Sequence, residues 1–184
     1  MGKRSDFERV PKDAYQTIDP RAVAALAPFL YPGVTFAEPC AGQGLLVSAL
    51  KKTGCIPTYV SDIDQGHDAL DLRAEDVSHT EFIITNPPWS RPLLHPLIEH
   101  LAGLRPTWLL FDADWAHTAQ SVPYMHYCHI IVSVGRLLWI PGTTMTGKDN
   151  CAWYLFDRDR VQRHGGPVFF GRVISTARLQ QVAE

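Results

Sequence analysis

Two consecutive prolines directly after a short apolar run constrain this chain more than any other feature. Phe82-Ile83-Ile84-Thr85 is apolar and β-branched, and reads as a buried strand. Pro87 and Pro88 have no N–H to donate, so the chain must leave the sheet at Asn86 in a stiff, extended turn. That turn gathers an amide side chain, a proline carbonyl and the Trp89 ring at the carboxyl end of a strand. Open α/β sheets bind ligands at that edge. An Asn side chain and a backbone carbonyl can both accept hydrogen bonds from one –NH₂ group. Trp89 adds a flat face on which a base can stack. Asn86, Pro87, Pro88 and Trp89 therefore suit a grip on an exocyclic amine of a planar ring. Taken alone they suit equally well a plain turn whose Trp fills a core gap.

The elements around the turn alternate. Asp19-Pro20 reads as the N-cap and first residue of a helix that carries apolar residues from Ala22 to Leu30 and stops at Pro32-Gly33. A strand is expected at Val34–Ala37, a helix at about Leu45–Lys52 ending at Gly54, and a second strand from Pro57 to Ser61. The stretch from Asp64 to Thr80 is polar and weakly patterned. After the proline turn come a helix at about Leu93–Leu104, a strand at Trp108–Phe111 and a short helix around Asp114–Gln120. His129–Val134 and Cys151–Phe156 read as two strands whose connection has no room for a crossover helix, so they are antiparallel. The expected architecture is α/β: a mostly parallel sheet, helices on both faces, and one antiparallel strand near the edge.

A glycine loop precedes the helix at Leu45. Glu38-Pro39-Cys40-Ala41-Gly42-Gln43-Gly44 lies between strand and helix, and Gly42 and Gly44 permit close approach of a ligand to the backbone. The loop lacks the third glycine of the dinucleotide fingerprint. Asp62 follows the second strand, 18 residues after Gly44, near the roughly 20-residue spacing at which an acid meets ribose hydroxyls. Ile63 beside it can pack on an adenine ring.

Composition removes several alternatives. At 184 residues the chain fits one domain, and 46% hydrophobic with 20% charged residues is ordinary for a globular protein. No apolar run approaches the roughly 20 residues that span a bilayer. The opening Met1-Gly2-Lys3-Arg4-Ser5-Asp6 has no apolar core and does not read as a secretory signal. Cys40, Cys55, Cys128 and Cys151 lack zinc-knuckle spacing, so no metal site is expected, and reduced thiols in a cytoplasmic protein are the reading. A net charge of −2 gives no global attraction to a polyanion. Contact with nucleic acid would need local patches, such as Lys3, Arg4, Arg9 and Lys12, or Arg158, Arg160, Arg163 and Arg172.

On these motifs the chain resembles the class I S-adenosylmethionine-dependent methyltransferases. Within them it looks like the enzymes that modify adenine N6 in DNA, including small phage-type ones. The family's acidic-Pro-x-x-Gly-x-Gly matches Glu38, Pro39, Gly42 and Gly44, and its Asn-Pro-Pro-aromatic matches Asn86 to Trp89. An aromatic-x-Thr-Pro segment that closes over the methionine end is matched in part by Tyr15-Gln16-Thr17, with Ile18-Asp19 intervening before Pro20. The resemblance covers about residues 11–157. It implies a Rossmann-like single domain over 1–184, with 1–18 closing over the cofactor and 158–184 as an extension. It implies S-adenosylmethionine as cofactor, with Glu38 near the methionine amino group, Asp62 on the ribose and Asp71 on the adenine amine, Asp76 being the alternative to Asp71.

The implied partner is DNA, duplex or single-stranded, with RNA possible. A chain of this length has no room for a large recognition domain. Contacts are expected from loops at Ser90-Arg91, Asp114–Tyr127 and Gly142–Asp149, where Trp115, His117, Tyr124, Tyr127 and Lys148 offer stacking and charge. The same grip serves RNA base and release-factor glutamine methyltransferases. The latter usually carry a helical N-terminal domain, and only 33 residues precede the first expected strand here. A non-catalytic cofactor-binding module is the remaining alternative.

Overall fold

The computed structural model describes residues 15–160 and 166–172. Seven strands form one sheet: β1 (Thr35–Glu38), β2 (Ile56–Val60), β3 (Phe82–Thr85), β4 (Thr107–Asp112), β5 (Cys128–Gly135), β6 (Cys151–Phe156) and β7 (Val168–Phe170). Their order is β2-β1-β3-β4-β6-β5-β7. β1, β2, β3 and β4 run parallel, and β6 is antiparallel to both β4 and β5. The antiparallel strand therefore lies inside the sheet rather than near its edge. β7, which pairs in parallel with β5, takes the edge position within what reads from sequence as an extension. Only three residues long and bracketed by Pro167 and Gly171, that segment gives a weak strand signal.

The core is divided by strand alternation. Phe36, Ile84, Trp108, Leu110 and Trp153 face α1 (Pro20–Leu26) and α2 (Leu45–Lys52), whose Val23, Leu26, Leu46 and Leu50 cover them. Ala37, Ile83, Leu109, Phe111 and Tyr154 face α3 (Arg91–Leu104), which buries Leu94, Leu97, Ile98 and Leu101. Both faces of β4 are thus covered, which explains its unbroken apolar sequence.

Asp19 caps α1 by accepting the Arg21 N–H at 3.0 Å, with Pro20 at the first position. α1 ends at Leu26 and continues as a 3₁₀ turn, Ala27–Phe29. It is shorter than the sequence suggests because Pro28 cannot donate the next helical hydrogen bond. The helix expected around 114–120 is resolved into two 3₁₀ turns, Ala113–His117 and Ala119–Ser121, followed by α4 (Val122–Met125). The weakly patterned stretch 64–80 carries only two 3₁₀ turns, so β2 is left as the other edge of the sheet.

Candidate active site

The carboxyl ends of β1, β2 and β3 bring the glycine loop, Asp62 and Asn86 to one rim. A cavity of about 670 Å³ opens there, within the usual range for small-molecule sites. Its wall includes Tyr15, Gln16, Pro39, Cys40, Gly42, Asp62, Ile63, Asp68, Leu70, Asn86, Pro88 and Leu93.

Asp62 organises the cofactor-loop side. It is 8% exposed, accepts the Gly42 N–H at 2.7 Å on one oxygen, and accepts the Asp64 N–H at 2.9 Å on the other. Gly42 has φ +52°, and a Cβ there would overlap the Gln16 amide. Gln16 in turn accepts the Gln43 N–H at 3.2 Å. The loop is therefore held between an aspartate and a glutamine, and a side chain at position 42 would displace the glutamine. Gly44, at φ +74°, turns the chain into α2 and lies away from the wall.

Glu38 ends β1 with 1% exposure. Burial, and then the nearby Asp62 carboxylate, push its carboxyl well above the ordinary range, partly offset by the Val47 N–H. Its Oε2 has no hydrogen-bond partner. Glu38 does not itself line the cavity, whereas the next residue, Pro39, does. An orphaned buried carboxyl oxygen is costly, and groups of this kind cluster at functional sites. Burial also pushes the Cys40 thiol up to about 12, so it is a packed wall residue and not a nucleophile at neutral pH. The four cysteines are all free, and the described residues hold no cluster able to bind a metal.

Asn86 is fixed at both ends of its amide. Its Nδ2 donates to the Tyr15 carbonyl at 3.0 Å, and its Oδ1 accepts the Trp89 indole N–H at 3.1 Å. This assigns the amide orientation without ambiguity, because each atom meets the complementary partner. Pro87 is buried behind the wall.

Several sequence expectations shift in position. Trp89 does not line the cavity. It is half-buried, packs against both core clusters and meets Trp139 edge-on at 5.6 Å. It acts on the site through its N–H rather than through an exposed stacking face. Thr17 is buried away from the wall, while Tyr15 and Gln16 of the same segment reach it. Residues 1–14, including the basic Lys3, Arg4, Arg9 and Lys12, lie outside the described residues, as does Arg163. Asp71 is exposed and does not line the cavity, and Asp76 does not reach it either, since its carboxylate accepts the Arg73 N–H. The acids of this segment that reach the wall are Asp64 and Asp68; Asp68, three residues before Asp71, caps the turn by accepting the Leu70 N–H at 2.9 Å. Spacing from Asn86 cannot separate these acids because the segment between them has no regular period.

The outer loops also differ. Trp115, Tyr124 and Tyr127 are 0%, 8% and 4% exposed and belong to the core, so they offer no face to a nucleic acid. Trp115 donates its N–H to His95 Nε2 at 3.1 Å, and burial followed by the Arg91 charge holds that imidazole below its usual pKa. Arg91 pairs with Asp112 at 3.4 Å. Of the expected contact loops, Gly142–Asp149 exposes Met145 and Lys148, with Ile140 exposed just before it, and Asp114–Tyr127 exposes Val122.

No protein-family model and no curated protein matches the sequence. Solved structures do. A Pyrococcus horikoshii protein, proposed to be an RNA methyltransferase, has 13% identity over 84% of this chain and 92% of its own, with a TM-score of 0.52. The M protein of the type I restriction enzyme EcoKI has 12% identity over 77% of this chain and 44% of its own, with a TM-score of 0.42. A release-factor-specific protein-(glutamine-N5) methyltransferase from Alicyclobacillus acidocaldarius has 15% identity over 82% and 99%, with a TM-score of 0.40. The likeness is one of fold: the chain has the Rossmann-like fold of the methyltransferases. Among the described residues, no helix is long and apolar enough to cross a membrane.

Proposed function

We propose that this protein is an S-adenosylmethionine-dependent methyltransferase acting on the exocyclic N6 amino group of adenine in DNA. The observation that carries the reading is Asn86, held amide-first on the rim of the cavity with its oxygen oriented by Trp89. The reading covers one domain, residues 1–184.

The residues present fit the cofactor. The partnerless Glu38 Oε2 matches a cationic amino group, the Gly42 backbone on the cavity wall matches a close-lying chain once the Gln16 amide gives way, and the Asp62 carboxylate with Ile63 matches a nucleoside. Asp68 takes the role on the adenine amine for which Asp71 was the sequence candidate. When bound, S-adenosylmethionine supplies a methyl carbon made electrophilic by its sulfonium.

The chain's own task is orientation and charge stabilisation. An amide oxygen has two lone pairs. Trp89 takes one in Asn86, and the other accepts a substrate N–H. The family resemblance assigns the second N–H to the Pro87 carbonyl, which would have to reach the rim from a residue buried behind the wall. One of the two Asn86 Nδ2 hydrogens donates to the Tyr15 carbonyl, which turns the amide so that its oxygen, with a lone pair left over, is available to a substrate N–H. Two accepted N–H bonds turn the amine lone pair out of the ring plane and stabilise the positive charge that develops on nitrogen. A duplex adenine reaches such a rim only when flipped out, at a cost of a few kcal/mol.

An RNA base is the second reading, supported by the description of the Pyrococcus horikoshii fold neighbour. Incubation with labelled cofactor, separation of DNA, RNA and protein, and nucleoside analysis test both. N6-methyladenine in DNA is expected. Label confined to RNA selects the second reading, and no label in any pool rejects a transferase.

A further inference from the structure

The Asn86 amide is oriented by two residues distant in sequence, and one side chain touches both of them. The Trp139 ring lies 5.6 Å from the Trp89 ring at 85° and 6.4 Å from the Tyr15 ring at 58°. Trp89 supplies the N–H on Asn86 Oδ1, and Tyr15 supplies the carbonyl on Asn86 Nδ2. Trp139 itself does not line the cavity.

Trp139 is held firmly from behind. The N–H of Leu138, just before it, donates to Asp19 Oδ2 at 2.9 Å, which ties this loop to the start of α1. Leu137 is fully buried, and its carbonyl accepts the Gly147 N–H at 2.8 Å, closing the loop on itself. A Cβ at Gly147 would stand 2.9 Å from Trp139 Nε1, so the ring fills its space up to the opposite strand of the loop.

We propose that Trp139 is a positioning residue for Asn86, acting through Trp89 and Tyr15 together. The terminal torsion of an Asn side chain is broad and roughly two-fold. Its setting here depends on two hydrogen bonds whose partners are kept in place by one edge-packed indole. Aromatic pairs of this kind are favoured geometries. Loss of the ring frees the Trp89 indole to turn and the Tyr15 segment to lift, so the Asn86 oxygen leaves its productive direction. The Asp62 clamp on the cofactor loop is untouched by this change, whereas Gln16, which directly follows Tyr15, moves with that segment. The effect therefore falls chiefly on turnover, with a smaller loss of cofactor affinity through Gln16. The catalytic consequence rests on the function proposed above, whereas the structural coupling does not.

The test uses the full chain and the variants Trp139→Ala, Trp139→Phe and Gly147→Ala. The first readout is the side-chain amide signal of Asn86 in ¹⁵N-labelled protein, assigned by its loss in Asn86→Asp. In Trp139→Ala this signal is expected to move toward the position of a free amide, and in Trp139→Phe to stay near wild type. The second readout is kcat beside cofactor affinity: kcat falls about 10–100-fold in Trp139→Ala, by clearly more than cofactor affinity falls, and Phe restores most of the rate. If Trp139→Ala does not fold, Gly147→Ala, whose methyl pushes on the indole, must displace the amide signal. A folded Trp139→Ala with an unmoved Asn86 amide, or with wild-type kcat, overturns the proposal. If wild-type protein methylates no nucleic acid, the proposed function fails and the amide signal alone decides on Trp139.

Discussion

Replacing Glu38 by Gln should stabilise the free protein at neutral pH while weakening cofactor binding. The carboxyl is 1% exposed, and burial followed by repulsion from Asp62 raises its pKa well above 4.5. A group whose folded pKa is raised favours folding fully below its unfolded pKa and loses that contribution as pH rises toward the folded value. Between those two values one proton is at stake, so wild-type stability falls by about 1.4 kcal/mol per pH unit from this group. Gln is nearly isosteric, keeps an acceptor for the Val47 N–H and does not titrate. The two proteins should therefore be equally stable at about pH 4, diverge as pH rises, and run parallel above the folded pKa. At pH 7 the advantage of the variant should equal the accumulated linkage, about 1.4 kcal/mol for each pH unit between the unfolded pKa and the lower of the folded pKa and 7. Urea denaturation at pH 4–9 measures it, and calorimetry with S-adenosylhomocysteine should show at least about a tenfold loss of affinity, the equivalent of one charged hydrogen bond. Equal pH slopes for the two proteins, or a variant less stable at pH 7, would refute the argument that Glu38 is held at the expense of stability for a ligand.

Asn86→Ala should abolish transfer by at least about two orders of magnitude and leave cofactor affinity intact, as read by single-turnover label transfer and calorimetry; near-normal turnover would remove Asn86 from the reaction. Asp62→Ala removes the acceptor of both Gly42 and Asp64 N–H groups. It should lower stability by about 2–4 kcal/mol, two charge-assisted bonds discounted for partial hydration, and cofactor affinity by about tenfold or more; an unchanged melting temperature would show that the loop holds itself. Asp68→Ala should weaken cofactor binding more than Asp71→Ala, since only the former carboxylate reaches the cavity; the reverse order in calorimetry would return the role to Asp71.

Much of the fold is legible along the chain because it depends on local rules. The strand at Phe82–Thr85, the helix at Leu45–Lys52 and the Asp19-Pro20 start each need only a few neighbouring residues to be specified. The position of β6 inside the sheet is not legible, because strand order depends on which edges meet after the helices have packed. The aromatic loop residues show the same limit. Trp115, Tyr124 and Tyr127 fall in a stretch with no helical or strand period, yet the face opposite α1 and α2 required volume, and they supply it.

At the site, the residue types were set by sequence alone. The glycines, the acid after β2 and the Asn-Pro-Pro turn are chemical necessities at fixed spacing, and the structure brings Gly42, Asp62 and Asn86 to one cavity. Which neighbours control those residues was decided only in three dimensions. Gln16 over Gly42, Asp68 rather than Asp71, and Trp139 behind both partners of Asn86 are contacts between segments separated by tens of residues or by an irregular stretch. The same holds for Trp89, whose face is taken up by the core and whose N–H alone serves the site. A one-dimensional pattern carries the identity of a donor or acceptor and its distance along the chain. It does not carry the direction in which the group points, because direction is set by packing against whatever the rest of the chain leaves beside it.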